Sequence, residues 1–137
     1  MLFTKEEIAY LSTQRLGRLA TVQKNGTVQA NPVGFGLNQK LGTIDIGGHD
    51  LAATQKFRNL RANNQVALVI DDLASVDPWR ARGIEIRGTA ETLDNPTDSA
   101  SRIPGAIIRI HPRRIISWGI ASDRRDARDV DSSATNR

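Results

Sequence analysis

Apolar positions along the chain change their period early. Leu2, Ile8 and Leu11 share one helical face, and Thr4-Lys5-Glu6-Glu7 before them has the form of a capping box. A short helix is predicted over residues 5–13. From Leu16 the pattern switches to alternation, with Leu16, Arg18, Ala20 and Val22 on one side and Gly17, Leu19 and Thr21 on the other. Lys24-Asn25-Gly26-Thr27 then predicts a tight hairpin with a type I′ turn at Asn-Gly. The returning strand, 27–37, contains Pro32, which must mark an edge, a bulge or a place where something else approaches the backbone.

Asn38-Gln39-Lys40 reads as a second turn before a strand over 42–47, and residues 51–63 read as a helix offering Leu51, Phe57 and Leu60 to a core. Three further strands are expected at 65–71, 80–93 and 106–120, the last bent near Pro112. Asp77-Pro78-Trp79 forms a turn, and residues 94–105 are loop by composition. Six strands joined mostly by hairpins predict an all-β fold with small helices, an antiparallel barrel whose closure removes exposed edges. Residues 1–120 would form this single domain. Residues 121–137, with little apolar content, are expected to be a disordered polar tail.

A chain of 137 residues suits one modest core. Without cysteine it has no disulfide, thiolate metal site or Cys nucleophile. No apolar run approaches the roughly 20 residues that span a bilayer, and the first residues lack a signal-peptide layout, so a cytoplasmic location is expected. The net charge of +4 lies wholly in residues 1–120, because the last segment carries four Arg and four Asp. His49 and His111 lack metal-ligand spacing, and no metal site is expected. Two Trp, one Tyr and three Phe, scattered over the elements, offer no stacking platform for nucleic acid. With no nucleophile elbow or Walker loop, any catalysis would draw its chemistry from a cofactor.

One segment is chemically suggestive. Gly47-Gly48-His49-Asp50 ends a strand, and the helix after it carries Lys56, Arg58 and Arg61 with no acidic residue beyond Asp50. Free amides at a helix start, close backbone approach at glycine and basic side chains together suit a phosphate. The same residues also suit an ordinary turn, with Asp50 as N-cap and a solvated basic face. On physics alone the two readings stand level.

The order of these motifs resembles a known family. Leu16 to Val22 with the Asn25-Gly26 turn, Asn31-Pro32-Val33-Gly34-Phe35, and Lys56-Phe57-Arg58-Asn59-Leu60-Arg61 before Val66-Ala67-Leu68-Val69-Ile70-Asp71 are similar to the pyridoxamine 5′-phosphate oxidase-like, FMN-binding split barrels. Asp45 to Asp50, Asp77-Pro78-Trp79-Arg80 and Ile110 to Trp118 resemble the actinobacterial branch that depends on coenzyme F420. The resemblance implies a six-stranded split β-barrel, a homodimer with cofactor at the subunit interface, and no membrane partner. It implies that Lys56 contacts the cofactor phosphate with Gly48 and His49 beside it. It further implies that Asn31, Pro32, Val33 and Gly34 lie along the ring system, and that Trp79 and Arg80 reach the site from the partner.

The activity implied is hydride transfer between reduced F420 and an electron-poor, conjugated enone-like molecule. FMN is the alternative cofactor, with an oxidase, flavin reductase or non-catalytic carrier as alternative roles. Arg58, Arg61, Arg80, Arg82, Arg109, Arg113 and Arg114 are candidate contacts for the longer anionic tail of F420.

Overall fold

The capping box forms as expected. The Thr4 hydroxyl accepts from the Glu7 amide at 3.1 Å, Glu7 Oε1 accepts from the Thr4 amide at 2.9 Å, and α1 runs Lys5–Ser12. The structure is a computed structural model and describes residues 2–131. After α1 come β1 (Leu16–Val22), β2 (Val28–Gly34), β3 (Gly36–Asn38) and β4 (Thr43–Ile46). A 3₁₀ turn (Leu51–Ala53) and α2 (Gln55–Ala62) follow, then β5 (Gln65–Ser75), β6 (Arg80–Leu93), β7 (Ile107–Trp118) and β8 (Arg125–Asp129).

All pairings are antiparallel, in the order β2-β1-β5-β6-β7-β4-β3, with β8 added on β7. Only Phe35 separates β2 from β3. One continuous passage of chain therefore joins the two ends of that order, and the sheet curls into a split barrel. The core is aliphatic, built from Ile44 and Ile46 of β4, Leu68 and Ile70 of β5, Ile84 and Ile86 of β6, and Ile108, Ile110 and Ile115 of β7. Phe57 and Leu60 of α2 are buried in the same cluster. That burial fixes which face of α2 looks inward. Asn59 on the same helix is also buried, donating to Thr21 Oγ1 (3.1 Å) and Gln29 Oε1 (3.0 Å), so α2 is tied to β1 and β2.

The expected strand 27–37 breaks at Phe35, which accounts for one strand beyond six, and β8 accounts for the other. Pro32 lies on β2 at one end of the sheet path, where its missing donor leaves no ladder bond unmade. The first hairpin is not type I′. Among its turn residues only Gly26 is left-handed (φ 90°), and its amide donates to the Gln23 carbonyl at 2.9 Å. This is a type I turn closed by a left-handed glycine, the usual three-residue alternative. The bend near Pro112 is a bulge: Arg87 pairs with Arg114 and Gly88 with Pro112, leaving Arg113 extra.

The expected disordered tail requires correction over residues 125–129, while residues 132–137 lie outside the described residues. β7 gives one edge to β4 along its first half, and the second half of that edge would be open without β8. Charged residues suit such an outer strand, which needs no apolar face. Arg114 Nη1 bonds Asp129 Oδ1 at 2.7 Å, and Arg128 reaches back to α1, where Nη2 and Nη1 donate to Glu7 Oε1 (2.6 Å) and Oε2 (2.8 Å). Arg128 also donates to the Leu2 carbonyl at 2.9 Å. Burial pushes the Glu7 carboxyl up, but Arg128 and the Thr4 amide outweigh it and hold the group below its ordinary value.

Arg128→Ala should therefore cost about 2–3 kcal/mol, because it strands a buried carboxylate. The Glu7 contribution is fully present above the ordinary carboxylate range and is lost as pH falls through the lowered folded value. Urea unfolding at neutral and acidic pH should show the gap between wild type and Arg128→Ala closing on the acid side.

Candidate functional site

A cleft of about 990 Å³ opens between the C-terminal end of α1, the β2–β3 passage, the end of β4 with the turn after it, and the loop before β7. This lies at the upper end of the roughly 300–1,000 Å³ found for small-molecule sites. Ile8 and Leu11 of α1, Val33 of β2, Leu51 and Ile103 supply apolar wall. Gly34 and Gly48 leave their backbones open to it. A Cβ at Gly34 would meet nothing within 4 Å, and one at Gly48 only Leu51, at 3.6 Å.

The chain enters α2 differently from expectation. Asp50 is left-handed (φ 52°) and makes no capping bond, and the N-cap is Thr54, whose hydroxyl accepts from the Phe57 amide at 3.4 Å. Lys56 therefore lies in the first turn of α2, next to buried Phe57, half-buried and on the cleft wall. Of the residues expected at the site, Pro32, Val33, Gly34, Gly48, His49 and Lys56 line this one cleft. Asn31 is half-buried on β2, paired opposite Leu19, and does not line it. Trp79 and Arg80 lie in and after the β5–β6 turn and do not line the cleft of their own chain, with Trp79 70% exposed.

The basic track expected for a long anionic tail does not assemble here. Arg58 Nη1 is bonded to the Ala53 carbonyl at 2.8 Å, Arg61 stacks on Phe57 and faces Asp94, and Arg82 pairs with Asp72. Arg113 and Arg114 face Asp131 and Asp129, Arg109 is buried between Asp45 and Asp98, and Arg80 does not line the cleft. The cations that do line the cleft are Lys56, Arg15 and Arg102, none with a carboxylate partner among the described residues. Arg15 follows α1 and Arg102 sits in the 94–105 loop. Neither position belongs to a periodic pattern, so sequence reasoning had no handle on them.

The floor of the cleft carries a buried ion pair that sequence reasoning also missed. Asp45 is fully buried and accepts from Arg109 Nε (3.0 Å) and Nη2 (3.2 Å), Asn38 Nδ2 (3.0 Å), Thr43 Oγ1 (3.1 Å) and the Ala100 amide (2.9 Å). Burial would raise its carboxyl, yet Arg109, Asn38 and the Ala100 amide hold it below the ordinary range. A readable signal existed. Asp45 and Arg109 are opposite charges inside the apolar runs Ile44-Asp45-Ile46 and Ile107-Ile108-Arg109-Ile110, and those strands pair with Asp45 opposite Arg109. Because Arg109 neutralises Asp45, the free charge on the cleft wall is positive. The arrangement suits an anionic ligand.

Residues 3–119 match the family model for pyridoxamine 5′-phosphate oxidase. The chain belongs to the pyridoxamine 5′-phosphate oxidase family. It is 46% identical over 126 residues to a 5a,11a-dehydrotetracycline/5a,11a-dehydrooxytetracycline reductase of Streptomyces rimosus, covering 90% of this chain and 87% of that protein. A solved F420 reductase is 26% identical with a TM-score of 0.57, covering 74% of this chain and 89% of the other. An FAD-binding protein of Mycobacterium smegmatis, 22% identical, shares the fold at a TM-score of 0.64 over 92% of this chain and 98% of that one. The chain is thus an oxidoreductase on the split barrel of this family, and among its described residues no helix is long and apolar enough to cross a membrane.

Asp45→Ala should destabilise the protein by roughly 3–5 kcal/mol, since it leaves Arg109 buried without its main partner. The stabilisation from Asp45 is present at neutral pH and is lost as pH falls through its lowered folded value. Chemical denaturation of wild type and Asp45→Ala from pH 7 into acid should show the difference shrinking.

Proposed function

We propose that the cleft holds the deazaflavin coenzyme F420 and that the protein is a reductase of electron-poor, conjugated enone-like small molecules. The observation that carries this reading is Lys56. Half-buried and without a carboxylate partner among the described residues, it shares one cleft with Gly48, His49 and the Pro32–Gly34 stretch. The residues present fit such a group. Lys56 and His49 would hold its phosphate, while the open backbones at Gly34 and Gly48 leave room for close approach of a flat ring.

When bound, the deazaflavin supplies two-electron hydride chemistry. The chain's own part is to bind, align and shield, since proximity and orientation provide much of the acceleration in such reactions. Val33, Ile8 and Leu11 give an apolar wall that keeps water from the reacting face. The Streptomyces relative supports the substrate class, because reducing a 5a,11a-dehydro compound adds a hydride and a proton across a carbon–carbon bond. FMN is the second reading, favoured by the family at large.

A homodimer belongs to the same proposal. Leu73, Val76 and Trp79, all exposed, cluster around the β5–β6 turn. Trp79 and Arg80, which do not line the cleft of their own chain, would contact cofactor once a second copy brought them there.

Fluorescence titration with F420 and with FMN should give tighter binding of F420. Lys56→Ala should weaken it about 10- to 100-fold, the size of one lost charge-assisted hydrogen bond. Equal weak binding of both cofactors, unchanged by Lys56→Ala, would overturn the reading. Sedimentation should show a dimer, and Trp79→Ala should shift it towards monomer.

A further inference from the structure

The loop at 94–105 has no regular structure, yet it is held tightly against the sheet. Asp45 Oδ2 accepts from the Ala100 amide (2.9 Å), Asn38 Nδ2 donates to the Asp98 carbonyl (2.9 Å), and Arg109 Nη2 donates to Asp98 Oδ1 (2.9 Å). Ser101 then closes on Ile103, its hydroxyl accepting from the Ile103 amide at 3.1 Å. The loop leaves no slack beneath it. A Cβ at Gly36 would collide with the Ala100 carbonyl oxygen, and one at Gly47 with Ser101 Oγ. Arg102 is the next residue. It is exposed, lines the cleft beside the Gly47–His49 strand end, and has no carboxylate partner among the described residues.

We propose that Arg102 is a specificity-determining residue that pairs with an anionic oxygen group, a carboxylate or enolate, on a molecule in the cleft. Asp98 is its positioning residue, acting through Arg109 and Asp45. The inference rests on the cleft being the cofactor and substrate site. A long arginine on a free loop loses much of its gain to ordering, whereas this loop is ordered beforehand by buried partners. Lys56 lies on α2 and serves the phosphate end, so Arg102 is available for a second anionic group. Two sources offer one: the acidic side chain of the cofactor and an acidic enol of the substrate.

The test uses the full chain with Arg102→Gln, Arg102→Lys and Asp98→Ala. It reads fluorescence Kd for F420 and for its tail-less deazaflavin, and KM and kcat for 5a,11a-dehydrotetracycline. If the group belongs to the cofactor, Arg102→Gln raises the Kd for F420 about tenfold and leaves the tail-less compound unchanged. If it belongs to the substrate, KM rises about tenfold while kcat and both Kd values hold. In either case Arg102→Lys recovers most of the loss, and Asp98→Ala repeats the pattern more weakly.

Arg102→Gln that alters none of these values, or weakens every ligand alike, overturns the proposal. So does lysine that fails to rescue. Wild type that binds no F420 overturns the cofactor reading and this inference with it. Tight F420 binding with an indifferent Arg102 overturns this inference alone.

Discussion

Asp45 and Arg109 place opposite charges in the floor of the cleft, both of them buried. Each charge taken from water alone would cost several kcal/mol, so both must be answered in place. The answer draws in most of the site's framework: Thr43 on the same strand, Asn38 on β3, and Ala100 and Asp98 on the loop before β7. A loop without a ladder of its own thereby becomes a fixed wall, and the cleft has a shape before any ligand enters. Removing either charge would release more than a pair. It would release the loop.

The same rule separates the arginines. This chain is basic, yet most of its guanidinium groups are spent on structure, with Arg128 on Glu7, Arg82 on Asp72 and Arg114 on Asp129. The exposed Arg114–Asp129 pair contributes little stability and the Arg128–Glu7 pair, on a buried carboxylate, contributes more, but all of them cancel local field. What remains uncancelled at the cleft, on Lys56, Arg15 and Arg102, gives it a sign. Overall charge was therefore a weak guide to function, and the distribution of pairing is a better one.

Much of the fold was legible because it rests on local chemistry. The Thr4–Glu7 capping box, the alternation through Leu19 and Thr21, and the inward Phe57 and Leu60 each follow from a few neighbouring residues. What failed to show was set by distance. β8 is charged because it is an outer edge strand bound through side chains to α1, and by composition alone that looks the same as a free tail. The break at Phe35 depends on where the sheet curls, and the Thr54 cap displaced Asp50 because the chain first makes a 3₁₀ turn. Lys56, Gly48 and His49, which line the cleft, were singled out through an ordered series of motifs, whereas Arg15 and Arg102 sit where no motif reaches.

The division of labour proposed for Lys56 and Arg102 follows from what holds each one. Lys56 stands on a helix whose inner face is locked by Phe57, Leu60 and Asn59, so its position is set by the core and varies little with the cleft's contents. A phosphate common to several flavin-type cofactors suits such a station. Arg102 stands on a loop whose sequence is free to change wherever Asp45, Arg109 and the glycines beneath it are satisfied. A barrel that keeps the first and varies the second can retain one cofactor chemistry while changing what it accepts. Specificity in this chain would then lie in residues 98–103, the stretch with the least pattern and the most buried support.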